Sequence, residues 1–272
     1  MFAVNKLKAL AGAVLMVASV LLAGCGSENS PEGPLKVGVM AGPEADVMKV
    51  AADIAKKDHG VDVELVEFSD YVSPNVALAD GSIDANAFQH KPYLDSMIRD
   101  RGFKLAAVGN TFVYPIGAYS RKIKDISELK DGAKVAIPND PSNEGRTLIL
   151  LDNKGFIKLK DVSNLEATPA DIVENPKNLQ FIELDAAQLP RSLDDVDLAF
   201  INSTYSVPAG LLPGRDALLV EGKDSPYVNL IVAREDNKGD PRIQTLVESY
   251  HTPAVEEKAR ELFKGSAVPG WK

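Results

Sequence analysis

The sequence predicts an α/β protein of two lobes joined by two crossing strands, and three observations carry that expectation. Strand-like alternation and helical spacing of apolar residues follow one another along most of the chain, the mark of sheets flanked by helices. A strand-rich stretch at 105–119 separates two such α/β sets, and a strongly apolar strand at 227–233 precedes two final helices. With 113–119 and 226–232 crossing between lobes, the first lobe comprises residues 35–117 and 225–272, and residues 118–224 form the second as an insertion. A hinged cleft between two α/β lobes is a place to enclose a ligand.

The first 24 residues precede that fold. Lys6 and Lys8 form a basic start, residues 10–22 an apolar run, and Ala23-Gly24 the small residues of a signal-peptidase site. Gly12 and Ser19 interrupt the run, which falls short of the ~20 residues a spanning helix needs. Leu22-Ala23-Gly24-Cys25 resembles the bacterial lipobox, which implies removal of residues 1–24 and lipidation of Cys25, the single cysteine. Several acyl chains on one residue anchor stably, since each buried methylene adds about 0.8 kcal/mol. The protein is therefore expected at the cell membrane, lipid-anchored and facing the periplasm or cell exterior. Residues 25–34 read as a tether, because the Ser, Glu, Asn, Pro and Gly that follow Cys25 cannot bury enough surface to order themselves.

Loss of the leader removes Lys6 and Lys8 and no acid, so the formal charge falls from −9 to −11. That acidity argues against nucleic acid as a partner. With Cys25 lipidated, no thiol remains for a disulfide or for nucleophilic catalysis. His59, His90 and His251 are too few and too scattered for a zinc site, and the serine-elbow, phosphate-loop and zinc-helix motifs are missing. No cofactor, no metal and no enzymatic activity are expected.

Along the folded part, 35–40 alternates as a strand, and Val47, Val50, Ala51 and Ile54 then fall at helical spacing until Gly60. A strand at 61–66 completes a β-α-β unit with a parallel pair. Ser73-Pro74 opens a short helix, as N-cap and first-turn proline, and Gly81 closes it. Residues 83–88 form a strand, and Leu94, Met97 and Ile98 share one face of a helix over 92–101. The second lobe carries strands at 134–137, 179–184 and 197–201 around a helix through 148–151. Ile243, Leu246, Val247 and Tyr250 mark one terminal helix, and residues 255–263 the other.

Three groups of residues have the chemistry of a binding site. Phe88-Gln89-His90-Lys91-Pro92-Tyr93 lies at a strand end and helix start, with Tyr71 upstream and Phe112 and Tyr114 downstream. Only 17 of the 272 residues are aromatic, so this clustering is unusual, and strand carboxyl ends are where ligands sit. Tyr and His offer flat apolar faces with polar tips. The same spacing also suits core packing for Phe88 and Tyr93 and a surface imidazole for His90. The run 138–146 follows a strand and opens a helix whose free amides favour an anion. Arg146 in it either takes a carboxylate through two parallel bonds or pairs with Glu144 or Asp152. Asn202 and Asn229 can each accept from an ammonium and donate to a carboxylate. Asn229 is equally placed for a hinge hydrogen bond. From these residues alone a receptor for another small amino acid or carboxylate, a surface adhesin or chaperone, and a hydrolase using His90 all stay open.

Longer segments narrow the choice. Asp84-Ala85-Asn86-Ala87-Phe88-Gln89-His90-Lys91-Pro92-Tyr93, Val108-Gly109-Asn110-Thr111-Phe112-Val113-Tyr114-Pro115 and Ser225-Pro226-Tyr227-Val228-Asn229-Leu230-Ile231-Val232 resemble the NlpA family of substrate-binding proteins. So do 138–141, 188–195 and the ending 265–271, and the likeness covers nearly the whole mature chain. The resemblance implies a type II-like periplasmic-binding-protein fold that captures methionine, L and D, for an ABC importer made of the permease MetI and the ATPase MetN. It implies Arg146 on the carboxylate, Asn202 and Asn229 on the polar head, and Tyr71, Phe88, His90, Tyr93 and Tyr114 around the thioether. Glu144 departs from the family's pattern, which has an apolar residue there, and would compete for Arg146 if it turned into the cleft. Gly26 leaves the chain without the aspartate retention signal after the lipidated cysteine, while the importer implies the cytoplasmic membrane.

Overall fold

The computed structural model describes residues 33–222 and 225–272. The expected leader, Cys25 and all but the end of the tether lie outside the described residues. The first sheet runs in spatial order Val268–Pro269, Leu105–Val113, Val228–Arg234, Ala85–His90, Leu35–Met40 and Val63–Phe68. The last three are parallel, connected by the helices Pro43–His59 and Ser73–Ala79 as a β-α-β pattern requires. Val228–Arg234 inserts antiparallel between Ala85–His90 and Leu105–Val113, so the end of the chain completes the sheet its beginning started.

The second sheet runs Leu219–Val220, Gly117–Tyr119, Leu198–Ile201, Lys134–Pro138 and Gln180–Leu184. The helix Pro141–Asn153 follows Lys134–Pro138 directly. The chain passes between the sheets twice, through irregular backbone at 114–116 and, among the described residues of the second passage, at 221–222 and 225–227. Pro115, which has no N–H to give a ladder, sits in the first passage. Among the described residues no helix is long and apolar enough to cross a membrane.

Burial follows the apolar spacing. Val37, Val39, Val47, Met48, Ile231, Leu246 and Phe263 fill the space between the first sheet and the helices Pro43–His59, Pro241–Tyr250 and Pro253–Leu262. Ile116, Val135, Ile137, Leu148, Leu151 and Phe200 form the corresponding core of the second sheet. Each large aliphatic buried in this way contributes about 1.5–3 kcal/mol.

Two strands begin and end two residues later than the spacing predicts, at Val63–Phe68 and Ala85–His90, which brings His90 onto the last strand position. Ser73 is not the N-cap of its helix. Asp70 Oδ1 accepts from the Val72 and Ser73 amides at 2.8 Å each, and Oδ2 accepts from Ser73 Oγ at 2.7 Å. A charged acceptor outcompetes a hydroxyl for those amides, so Ser73 falls inside the helix. Ala85–His90 is buried along its whole length, and its polar side chains are satisfied. Asn75 Nδ2 donates to Gln89 Oε1 at 2.8 Å, and Asn75 Oδ1 accepts from Gln89 at 2.6 Å and from Asn86 at 2.9 Å. Unpaired, these amides would cost stability; paired, they fix the strand end that carries Phe88 and His90.

Candidate functional site

A small cavity of about 20 Å³ lies at the carboxyl ends of the strands, walled by residues of the first sheet, by Tyr114 of the first passage and by residues that follow strands of the second sheet. Tyr71, Phe88, His90, Tyr93, Tyr114, Arg146, Asn202 and Asn229 all line it. Gln89, Asn143, Ser203 and Thr204, which the sequence reading did not select, complete the lining. Asn143 stands one helical turn before Arg146 in the run 138–146, the one signal that pointed to it.

The first-sheet wall is aromatic. The rings of Tyr71, Phe88 and Tyr93 lie 5.9–6.1 Å apart, and Tyr93 Oη donates to the Tyr71 carbonyl at 2.8 Å. Met40 and Met97 pack behind them. His90 Nδ1 accepts the Tyr93 amide at 3.2 Å and so caps the helix Lys91–Arg101, which places the ring proton on Nε2, 3.2 Å from Asn143 Oδ1. Burial first, and the Arg146 charge second, pull the imidazole down to about 3, so His90 is neutral near pH 7. Phe88 and Tyr93 are at once cavity wall and buried core. Phe112 is core alone, packed among Tyr114, Tyr250 and Trp271.

The second-sheet wall is polar. Asp140 caps the helix Pro141–Asn153 by accepting the Asn143 amide at 3.0 Å, and its carboxylate also holds Asn143 Nδ2. That orients Asn143 Oδ1, which accepts from His90 and, at 2.9 Å, from Asn202 Nδ2. Burial raises the Asp140 carboxyl above the usual range. Asn202, only 7% exposed, is left with Oδ1 buried and without a hydrogen-bond partner among the described residues. Gly145 lets this helix seat closely, because a Cβ there would strike the Leu165 carbonyl.

Arg146 is 3% exposed and pairs with neither Glu144 nor Asp152. Positions two apart on a helix do not face each other, and Asp152 instead accepts the Leu159 amide at 2.6 Å. Arg146 Nε donates to Glu221 Oε1 at 3.0 Å, and Nη2 donates to Glu221 Oε2 and, at 3.0 Å, to the Tyr114 carbonyl. The Tyr227 ring lies 4.5 Å from its Cζ. Glu144 does not reach the cavity lining or Arg146. Burial, then Glu183 and Asp140, push its carboxyl up to about 7. Asn229 lines the cavity, and its Nδ2 donates to the Phe88 carbonyl at 2.9 Å, a bond between neighbouring strands of the first sheet rather than across the hinge, beside a break in strand register.

The walls also meet directly. Thr204 Oγ1 donates to Glu44 Oε1 at the start of the helix Pro43–His59, and burial pushes the Glu44 carboxyl up to about 7. Among the described residues no His, Cys, Asp and Glu group has the arrangement of a metal site. What the cavity offers is an apolar ring wall opposite a buried arginine and a bare amide oxygen.

Residues 35–271 match the family model described as NlpA lipoprotein. The chain belongs to the NlpA lipoprotein family. Among NlpA relatives, the D-methionine-binding lipoprotein MetQ of Escherichia coli is 55% identical over 268 residues, covering 98% of this chain and 99% of the relative. A crystal structure of the methionine-binding protein MetQ matches with a TM-score of 0.86 at 58% identity, over 88% of this chain and 98% of that one. A nutrient-binding protein from Burkholderia cenocepacia bound to methionine matches at 0.84 with 49% identity, over 87% and 99% of the two chains. The two-lobe periplasmic-binding-protein fold is therefore that of this NlpA chain.

Proposed function

We propose that this NlpA protein encloses methionine, L and D, between its lobes and hands it to an ABC importer of the permease MetI and the ATPase MetN, without catalysis. The observation that carries the reading is one cavity with rings on one side and, on the other, a buried arginine beside an unpartnered amide oxygen. Tyr71, Phe88 and Tyr93, with Tyr114 and neutral His90, receive the thioether, whose polarisable sulfur favours aromatic contact. Arg146 takes the carboxylate through Nη1, and Asn202 Oδ1 and Asn229 take the ammonium. The names of the MetQ relatives and the methionine-bound neighbour support the choice of ligand.

The change of sheet within 113–117 and 220–228 supports a division into lobes at those passages. A ligand that touches both walls favours closure by its differential affinity for the closed form. Lipid on Cys25 holds the receptor at the membrane, facing the periplasm or cell exterior, as the relatives' lipoprotein names support. The test of the ligand is calorimetric titration, after unfolding, dialysis and refolding, against L-methionine, D-methionine, leucine and glutamate. Saturable methionine heat is expected, and no methionine heat overturns the reading. Cys25→Ser is expected to move the protein from the membrane to the soluble fraction; unchanged fractionation contradicts the anchor.

A further inference from the structure

Arg146 does not present its whole fork to the cavity. Glu221 takes the Nε proton and one Nη2 proton, and the Tyr114 carbonyl takes the other. Of the five guanidinium donors, only the two on Nη1 are left without a partner among the described residues. The Nε/Nη2 edge, where a ligand carboxylate would bind fork to fork, is held by the protein's own carboxylate. Glu221 is fixed in turn. Its side chain is 12% exposed, and Ser225 Oγ donates to its Oε1 at 3.0 Å. Both residues, with the Tyr227 ring over the guanidinium, lie on the returning passage 221–227 rather than on the helix that carries Arg146.

Arg146 is the one formal charge among the lining side chains near pH 7, since His90 is neutral. Asp140 lies behind Asn143, spent on the first amides of its helix. Glu221 cancels the arginine charge from the side away from the cavity. With its arginine balanced by Glu221, the carboxylate end of the cleft suits a ligand of zero net charge, because an unbalanced buried charge is costly.

We infer that Glu221 is the positioning and specificity-determining residue of the carboxylate site: it aims Arg146 Nη1 at the ligand and cancels the arginine charge, so that the cleft selects zwitterionic amino acids over the corresponding anionic acids. Asn202 Oδ1 supplies the acceptor that an ammonium uses and a deaminated acid does not. The inference rests on the reading of this cavity as the amino-acid site.

Affinities for L-methionine and for its deaminated counterpart, 4-(methylthio)butanoate, test it by calorimetry on the full chain. The unmodified protein is expected to prefer methionine. Glu221→Gln keeps the shape and removes the charge, and is expected to narrow that preference by about tenfold or more. Ser225→Ala removes a hydrogen bond and keeps the charge, and is expected to leave the ratio within about threefold. If Glu221→Gln weakens both ligands by one factor, or neither, Glu221 is merely structural and the inference falls. Should Glu221→Gln not fold, Glu221→Asp, which draws the carboxylate back by a methylene, is measured in its place and must narrow the ratio in the same direction. An unmodified protein that binds neither compound overturns the amino-acid reading itself.

Discussion

The rings of the first-sheet wall pack on one another and on Met40 and Met97, so that side of the cleft is finished as core before any ligand is considered. The second-sheet wall is a hydrogen-bond network in which Asp140, Asn143 and Asn202 satisfy one another except at Asn202 Oδ1, beside an arginine with Nη1 to spare. One wall contributes shape and stability; the other holds unspent polar capacity. The contrast describes a ligand with one apolar end and one end that both donates and accepts. It also separates the expected effects of mutation, since the aromatic wall should register in folding and the polar wall in binding.

The largest effect is expected on the aromatic side. Phe88 is 4% exposed, and Phe88→Ala should lower the stability of the ligand-free protein by about 3–5 kcal/mol, read from urea unfolding. An unchanged midpoint would break the contrast. Arg146→Ala comes next, with an expected loss of about 2–5 kcal/mol in methionine binding, much of it the cost of unpaired charge. A dissociation constant within about threefold of the parent, with normal circular dichroism, would remove Arg146 from the site.

A third expectation concerns the contact between the walls. The folded value of Glu44, about 7, lies above its unfolded 4.5. Its contribution is therefore fully present below about pH 4.5 and lost as pH rises through about 7, by no more than about 3 kcal/mol. Glu144, also raised to about 7, acts in the same sense. Glu44→Gln should thus flatten, without abolishing, the fall in melting temperature between pH 5.5 and 8. An identical slope in parent and variant would show that Glu44 does not titrate across the closed cleft. The smallest effect is a control beside the site: Lys91 and Asp95 form an exposed i,i+4 pair at 2.7 Å. Lys91→Ala should cost about 0.3–0.5 kcal/mol in unfolding and leave methionine affinity unchanged; lost affinity would extend the site beyond the cleft.

The aromatic wall was legible because Phe88, His90 and Tyr93 are neighbours in sequence, at a strand end that periodicity could place. The polar wall was legible as residues but not as a network. Arg146 meets Glu221 across 75 positions, and no spacing rule links a helix start to a loop with no period. Asn143 is oriented jointly by Asp140, three residues away, and by His90, 53 away, so only half of its role was local. Thr204 and Glu44 are 160 positions apart. In the fold, the parallel unit and the long helices followed from apolar spacing. The two-residue strands at Leu219–Val220 and Val268–Pro269 are too short to carry a period and arise from their partners across the sheet.

The division of labour between the walls is tested most directly by a crystal structure of the refolded protein, grown with ordinary methionine and soaked with L-selenomethionine. The account predicts an anomalous selenium peak in van der Waals contact, about 4 Å, with the Phe88 and Tyr93 rings, the ligand carboxylate on Arg146 Nη1 and the ammonium on Asn202 Oδ1. Selenium against Asn143 and Asn202, or a peak outside the cleft, would contradict it.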